Sequence, residues 1–269
     1  MRIAVFQFAA GSNIADNYAA IKRAITAAHH QHVRFLVFQE CALSGYPPVE
    51  TDKIENIDFL QMDICIVEIK KQAEKYDMYV ALGSVRKSNH QYYNSILLIG
   101  PEGECSGIYD KRALWGWDRD NFLPGESVGI YLVDEILIGF RICYEVRFPE
   151  YFRELFAAGV SLCFVSFCDV SKQMDAERYE TIKSHLITRA VENVMTVVSV
   201  NSISFNQTSP TAVIDPDGHI LELAPQSEEY LLVYEYNPPK ISFGGEGRIE
   251  NSNLLLSKYY SNFFAGELL

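Results

Sequence analysis

The sequence has few residues of the kinds that mark fibrous, disordered or disulfide-rich proteins. Only 16 glycines and 10 prolines occur among its 269 residues, which excludes collagen-like and low-complexity chains. The six cysteines are too sparse for a disulfide scaffold in a chain of this length, and no two of them form a Cys-x-x-Cys pair. We therefore expect reduced thiols and a cytoplasmic protein.

Basic residues and long apolar runs are also scarce. The 23 lysines and arginines stand against 35 aspartates and glutamates, and the net charge of −12 argues against a surface that binds nucleic-acid phosphates. No segment reaches the roughly 18 uninterrupted apolar residues that a membrane-spanning helix needs. Gln7 interrupts the apolar run near the N-terminus, so we interpret that run as a buried strand rather than a signal peptide. The predicted partners include neither nucleic acid nor a membrane.

The sequence does contain an alternation of buried strands and amphipathic helices. The strand-like segments are RIAVFQF, RFLVFQE, MYVALGSV, ILIGFRICY, VSLCFVSF and VMTVVSVN. Helical periodicity covers about residues 13–30, 57–75, 149–158 and 176–193. Hairpin patterns follow in the last third of the chain, and no linker rich in Pro, Gly or Ser separates the two strand–helix–strand halves. This pattern predicts one α/β domain in which two sheets pack face to face with helices outside.

Three ionisable residues lie at the ends of strand-like segments, where open α/β sheets bind their ligands. Glu40 ends RFLVFQE, Lys111 follows the strand GIYD, and Cys143 ends a buried strand just before a helix. A thiol at such a position lies beside backbone N–H groups that lower its pKa and stabilise an oxyanion. Each residue also has an ordinary interpretation, as a solvated surface charge or as an inert buried thiol. Position alone does not decide between these interpretations.

Longer phrases around these residues carry a resemblance to a known family. VFQECALSGYPP, YDKRALWGWDRDNFLPGE and GFRICYEVRFPE, followed by RAVENVMTVVSVN and SPTAVIDPDGHIL, occur in the order and at the intervals found in the nitrilase superfamily of carbon–nitrogen hydrolases. The resemblance is to an amidase-like member and extends from Met1 to about Tyr236. It implies a four-layer α-β-β-α sandwich with two mixed sheets and helices outside. We therefore expect a carbon–nitrogen hydrolase domain over residues 1–238 and a C-terminal tail over residues 239–269.

The resemblance also implies a Glu–Lys–Cys triad, and the matching residues are Glu40, Lys111 and Cys143. Glu40 would take the proton of the Cys143 thiol, because the thiolate is the competent nucleophile. Lys111 and the backbone N–H of Tyr144 would stabilise the oxyanion that forms when the thiolate attacks an amide carbon. Water would then hydrolyse the thioester. This chemistry needs no metal and no cofactor.

The loop after Lys111 departs from the family pattern. Family members often carry a second glutamate there, which positions substrate or the hydrolytic water, but this loop offers Asp118 or Asp120 instead. The shorter carboxylate changes the reach by about one carbon–carbon bond, and a misplacement of about 1 Å can cost roughly a hundredfold in rate. The substrate class is therefore open, and a catalytically weak binding or regulatory homologue is an alternative. Glu145 matches another acidic family position, and we expect it to be structural and to pair with Arg147.

Two further motifs compete with this interpretation. GESVG matches the Gly-x-Ser-x-Gly nucleophile elbow and nominates Ser127, but that motif needs a preceding strand and a following helix. Pro124 precedes it and a strand-like segment follows, so we interpret the match as chance. The sequence HHQH lies near a helix end, where its histidines are more typical of a helix terminus than of a metal site. They are His29, His30 and His32.

We predict a hydrolase of a small amide, which releases a carboxylate and ammonia or an amine. Hydrolysis of a nitrile or an N-carbamoyl compound on the same triad is the alternative, and small polar or acidic amides similar to ω-amidase substrates are one candidate class. The tail is predicted to be irregular. Its aromatic residues are expected to pack on the parent domain or on a partner subunit of a homodimer or higher homo-oligomer. They are Phe243, Tyr259, Tyr260, Phe263 and Phe264.

Overall fold

The computed structural model describes residues 1–264 of the chain and the side chains of residues 1–258. Its helices are α1 (Ile14–His30), α2 (Phe59–Tyr76), α3 (Asp118–Asn121), α4 (Pro149–Ala157), α5 (Ala176–Asn193) and α6 (Phe243–Phe264). The four helices predicted from periodicity are confirmed as α1, α2, α4 and α5, each within about two residues of its predicted bounds. In this part of the chain, no helix is long and apolar enough to cross a membrane.

Within the same residues, the strands form two six-stranded sheets and one two-stranded ribbon. They are β1 (Arg2–Gln7), β2 (Phe35–Phe38), β3 (Tyr79–Ser88), β4 (Gln91–Ile99), β5 (Cys105–Asp110), β6 (Ile130–Val133), β7 (Ile136–Ile142), β8 (Leu162–Phe167), β9 (Val170–Ser171), β10 (Thr196–Asn201), β11 (Asn206–Gln207), β12 (Ala212–Ile214), β13 (Ile220–Leu223) and β14 (Tyr230–Glu235). The first sheet has the order β14-β1-β2-β3-β4-β5, and the second has the order β13-β12-β10-β8-β7-β6.

Both sheets mix parallel and antiparallel pairs. β1, β2 and β3 are parallel neighbours in the first sheet, and β7, β8 and β10 are parallel neighbours in the second. The remaining pairs, toward the sheet edges, are antiparallel. Every residue of β2, β8 and β10 is buried, as expected for parallel strands covered on both faces. The carboxyl ends of three parallel strands therefore meet at one edge of each sheet.

The two sheets pack face to face through an apolar core, and helices cover their outer faces. Aromatic rings meet between the sheets: the ring centroid of Phe35 lies 5.0 Å from that of Phe164 and 6.3 Å from that of Phe140. A second core joins α1 and α2 to the first sheet, and a third joins α4 and α5 to the second. The predicted four-layer α-β-β-α sandwich is confirmed.

Two hydrogen bonds across the sandwich hold the carboxyl ends of β2 and β8 together. The Ser166 hydroxyl of β8 donates to the Phe38 carbonyl oxygen of β2 at 3.0 Å. Beyond these strands, the backbone N–H of Cys168 donates to a Glu40 carboxylate oxygen at 2.8 Å. Strand ends from both sheets therefore meet at the same edge of the sandwich.

The tail is helical where the sequence predicts an irregular segment, so that prediction is wrong. Its three glycines lower the intrinsic helix propensity of α6, but tertiary contacts outweigh this effect. The Arg248 guanidinium donates to the Pro216 carbonyl oxygen at 3.2 Å, and Arg153 of α4 donates to the Ser252 hydroxyl at 3.3 Å. Phe243 is exposed, and the side chains of the other tail aromatics, Tyr259, Tyr260, Phe263 and Phe264, lie outside the described residues. The division into domain and tail and the contact with a partner subunit stay predictions.

Gly83 of β3 lies where the backbone on either side of Glu40 approaches closely. A Cβ atom at this position would lie 2.0 Å from the Gln39 carbonyl oxygen and 2.9 Å from the Cys41 nitrogen. We expect Gly83→Ala to lower the free energy of unfolding by about 1–3 kcal/mol, because backbone atoms do not move aside as a flexible side chain does. Urea unfolding measures the change. Gly11→Ala is the matched control, since no atom lies within 4 Å of its added Cβ, and equal stability of the two variants would contradict the prediction.

Candidate active site

Glu40 follows β2, and its carboxylate is fully buried. One carboxylate oxygen accepts hydrogen bonds from the Lys111 ammonium at 2.8 Å and from the Asn94 side-chain amide at 2.7 Å. The other oxygen accepts from the backbone N–H of Cys168 at 2.8 Å. A buried carboxylate is costly unless donors of this kind satisfy it. Together the three donors hold Glu40 in one orientation.

Lys111 follows β5, and its ammonium joins two buried carboxylates. Besides Glu40, it contacts the Asp118 carboxylate at 2.8 Å, and none of the three side chains is exposed. Burial by itself lowers the pKa of a lysine, but the negative charges of Glu40 and Asp118 outweigh burial and raise the pKa of Lys111 well above its ordinary value. Lys111 is therefore a permanent cation at neutral pH.

Cys143 follows β7 and begins a short 3₁₀-helix that ends at Arg147. Its φ of 46° lies in the left-handed region, which costs a residue with a Cβ atom roughly 1–3 kcal/mol. The first N–H groups of such a helix have no acceptor within the helix. The strained turn therefore places the thiol beside donors that are available to a ligand.

Glu145 connects the cysteine turn to the segment after β5. Its fully buried carboxylate accepts from the backbone N–H of Ile142 at 2.6 Å and of Arg112 at 2.7 Å, and from the Tyr109 hydroxyl at 2.8 Å. Glu145 is structural, as expected, but the predicted pairing with Arg147 is wrong. Neutral donors satisfy the carboxylate inside the fold, so no second charge has to be buried beside it.

The Cys143 thiol is protonated at neutral pH. Burial raises the pKa of this thiol well above its ordinary value, the Glu40 carboxylate raises it further, and the Lys111 cation opposes both effects. A thiolate therefore forms only when a base accepts the proton during the reaction. The electrostatics of the site argue against a resting thiolate.

Asp118, and not Asp120, belongs to this cluster. The Asp118 carboxylate is buried in α3 and accepts from the Tyr46 hydroxyl at 2.7 Å as well as from Lys111. Burial raises the pKa of Asp118, while the lysine cation opposes the effect. Asp120 is exposed and does not line the cavity, so its assignment to the site is wrong. Residues two apart on a helix do not share a face.

A cavity of about 280 Å³ opens onto Cys143. Its polar wall contains Tyr144, Arg147, Asp169 and Arg178, and the rest of its lining is mainly apolar or aromatic. Tyr144 follows Cys143 in the 3₁₀-helix, and its role as an oxyanion donor stays a prediction. A cavity of this size suits a small molecule rather than a polymer.

The fold and this cluster agree with one protein family. A family model for carbon–nitrogen hydrolases matches residues 2–242, nearly the whole chain. The chain belongs to the carbon–nitrogen hydrolase family. It is a carbon–nitrogen hydrolase, as the resemblance predicted.

Three amidases are similar to this hydrolase. The 2-oxoglutaramate amidase of Bacillus subtilis (strain 168) is 29% identical over 198 residues, which cover 71% of this chain and 73% of that protein. The N-carbamoylputrescine amidase of Solanum tuberosum is 23% identical over 261 residues, 89% of this chain and 87% of that protein. The amidase of Nesterenkonia sp. AN1 shares the fold with a TM-score of 0.81 at 22% identity, covering 97% of this chain and 99% of that one. A variant of that amidase carries the acetamide moiety of fluoroacetamide covalently at its active-site cysteine.

Sequence reasoning missed two residues of the hydrolase site, Tyr46 and Asn94. The Tyr46 hydroxyl accepts from the Trp115 indole N–H at 2.6 Å and donates to Asp118, and the Lys111 nitrogen lies 5.7 Å from the centroid of its ring. Tyr46 belongs to a phrase that carried the family resemblance, so a signal for it was present. Asn94 lies in the middle of β4, where no local pattern distinguishes it.

The competing motifs lie outside the hydrolase site. Ser127 is exposed, its hydroxyl accepts from the backbone N–H of Gly129 at 3.1 Å, and strand β6 follows it instead of a helix. The ring of His29 stacks on the ring of Tyr76, and the two ring centroids are 4.3 Å apart. Among residues 1–258, no three His, Cys, Asp or Glu side chains are grouped so that they could hold a metal ion.

Asp118→Ala removes one of the two carboxylates that neutralise the buried Lys111. We expect the free energy of unfolding to fall by about 3 kcal/mol, because an ammonium that loses a buried partner is left partly uncompensated. Guanidinium denaturation measures the change. The control is Asp120→Ala, which removes an exposed carboxylate two residues away and is expected to change stability by less than about 0.5 kcal/mol. A loss of stability in both variants alike would contradict the placement of Asp118.

Proposed function

We propose that this hydrolase cleaves a small amide through a thioester on Cys143, with Glu40 as the general base and acid. The observation that carries the proposal is the buried Glu40–Lys111 ion pair, whose charges act on the thiol of Cys143, a residue that lines a cavity and lies in a strained turn. The names of the amidase relatives support amide chemistry. The covalent adduct at the cysteine of the Nesterenkonia amidase supports a cysteine nucleophile.

The first step forms the carbon–sulfur bond. Glu40 accepts the thiol proton of Cys143, and the thiolate attacks the amide carbon, so that the carbonyl oxygen becomes an oxyanion. Glu40 and Asp118 use two of the three N–H donors of the Lys111 ammonium, which leaves the third for the oxyanion. The backbone N–H of Tyr144 supplies a second donor.

The second step breaks the carbon–nitrogen bond and then releases the acid. Protonated Glu40 donates its proton to the leaving nitrogen, and ammonia or an amine departs from the thioester. Glu40 then deprotonates a water molecule, which attacks the thioester carbon. Collapse of the second oxyanion expels the Cys143 thiolate, which regains a proton from Glu40. The products are a carboxylate and the free enzyme.

Cys143→Ala tests the nucleophile. We expect it to lower kcat by at least about 10⁴-fold, because it removes the sulfur on which the proposed thioester forms, and to keep the fold. Ammonia release measures the rate, and intact-mass spectrometry detects the acyl adduct on the wild type. Cys105→Ala is the matched control, since Cys105 is exposed and outside the cavity. Turnover or an acyl adduct in the Cys143→Ala protein would place the nucleophile elsewhere.

The charged side chains in the cavity wall favour a substrate of a particular charge. Arg178 forms an ion pair with Asp169, whereas Arg147 has no carboxylate partner among the residues with described side chains. Its guanidinium lies 5.9 Å from the centroid of the Tyr144 ring. An arginine without an acidic partner is suited to bind a carboxylate through two parallel hydrogen bonds. We infer that the acyl group carries a carboxylate, as in a monoamide of a dicarboxylic acid, which agrees with the name of the Bacillus subtilis relative.

Arg147→Met tests this specificity. We expect kcat/KM for succinamate to fall by about a hundredfold, since a charged hydrogen bond is worth about 1.5–3 kcal/mol, and kcat/KM for neutral butyramide to change little. Steady-state assays of ammonia release give both values. Arg23→Met, which removes an exposed arginine on α1, is the control. Equal losses for the two substrates would argue against a carboxylate subsite at Arg147.

A further inference from the structure

Glu50 is a titratable side chain beside the site that has no part in the chemistry described above. It lies between β2 and α2, and one carboxylate oxygen accepts from the backbone N–H of Tyr46 at 2.9 Å. The other oxygen accepts from the Ser202 hydroxyl, just after β10, at 2.5 Å. The Ser204 hydroxyl and the Cys168 thiol also lie near this carboxylate and act to lower its pKa. Glu50 therefore joins a loop of the first sheet to two loops of the second.

Two of these partners lead to the proposed catalytic groups. The Tyr46 hydroxyl donates to Asp118 at 2.7 Å, and that carboxylate contacts the lysine ammonium. The backbone N–H of Cys168 donates to Glu40 at 2.8 Å. Tyr46 and Cys168 also line the cavity. A movement of Glu50 is therefore transmitted to both site carboxylates through one residue each.

We propose that ionised Glu50 is a positioning residue for amide hydrolysis, which holds the Tyr46 and Cys168 segments in place around the two site carboxylates. The inference rests on the proposed function, because it assigns Glu50 to the same reaction. Glu50 does not touch the reacting atoms. It acts through its two neighbours.

The ionised form of Glu50 is the one that matches its surroundings. An ionised carboxylate only accepts hydrogen bonds, whereas a protonated one must donate one and so loses a donor partner. Burial raises the pKa of Glu50 to about 7, although hydrogen bonds from Ser202 and Tyr46 oppose the effect. The titratable groups that face it, Cys41, Tyr46 and Cys168, all have raised pKa values and stay neutral near this pH, and the next charge beyond Cys168 is Glu40.

The ionised Glu50 carboxylate is unfavourable for the stability of the folded chain. Because the pKa of Glu50 is higher in the folded than in the unfolded chain, its contribution to stability is greatest at low pH and is lost as the pH rises to about 7. A purely structural role does not account for an ionised carboxylate that destabilises the fold. Glu50→Gln is therefore expected to be at least as stable as the wild type at about pH 8, where the amide avoids the cost of burying a charge.

The test follows kcat and KM for amide hydrolysis from about pH 5 to about pH 9. We expect the wild-type kcat to rise through a pKa near 7. In Glu50→Gln this rise is expected to disappear and kcat above neutral pH to fall by about tenfold, with KM changed less than about twofold. Glu50→Asp keeps an ionisable group and is expected to restore the rise and part of the rate. Glu55→Gln, which removes an exposed glutamate five residues away, is the matched control.

A wild-type pH profile in Glu50→Gln would overturn the inference, and so would a loss of kcat that is accompanied by a lower melting temperature. Failure of the proposed function has a different signature, namely undiminished turnover in Cys143→Ala. The rate at which iodoacetamide alkylates Cys143, followed by mass spectrometry over the same pH range, gives the same comparison without an amide substrate. Equal alkylation profiles for wild type and Glu50→Gln would also overturn the inference.

Discussion

The Lys111 ammonium carries its charge where water does not reach, and two carboxylates, those of Glu40 and Asp118, contact it at 2.8 Å each. Removing three charges from water has a large desolvation cost, which only close contacts and further hydrogen bonds offset. The three residues follow or belong to different elements, so the segments after β2 and β5 and the short helix α3 must all be in place at once. The apolar cores between the layers supply the stability that permits this arrangement.

Two carboxylates around one ammonium leave an excess of negative charge, which adds to the effect of burial on the pKa of the Cys143 thiol. It helps to keep the Cys143 thiol protonated at rest, so in the proposed reaction the proton moves to Glu40 as the substrate is attacked. The same buried carboxylate is then protonated when the leaving nitrogen needs a proton. One base therefore serves both halves of the proposed reaction, and the fixed charge of Lys111 is available to each oxyanion.

Neighbouring charged residues near the cysteine have different functions because the 3₁₀-helix turns them in different directions. Glu145 lies inside the fold, where neutral donors from two segments satisfy it and hold the strained turn. Arg147, two residues farther, lies in the cavity wall without an acidic partner among the described side chains. Glu145 thus holds the cysteine turn in position, and Arg147 is available to the proposed substrate.

Much of this hydrolase was predictable from its sequence, because local patterns record which residues are buried. Periodicity predicted the main helices and the buried strands, and the resemblance to the family predicted a triad of Glu40, Lys111 and Cys143. Intrinsic helix propensity did not predict α6, because its glycines disfavour a helix. Tertiary contacts stabilise the helix instead. Acidic amides were only one candidate substrate class from the sequence, since the lack of an acidic partner for Arg147 among the described side chains becomes evident only when its neighbours are known.

The sequence by itself determined the fold class and the positions of the three principal site residues, since these depend on burial patterns and short motifs. Only the tertiary structure decided between Asp118 and Asp120, removed the expected Glu145–Arg147 pair and brought Tyr46, Asn94 and Glu50 to the site. The reason is that these contacts join residues far apart in the chain, such as Glu50 and Ser202, which are 152 positions apart. Strand order and the packing of two sheets set such contacts, and no local pattern records them.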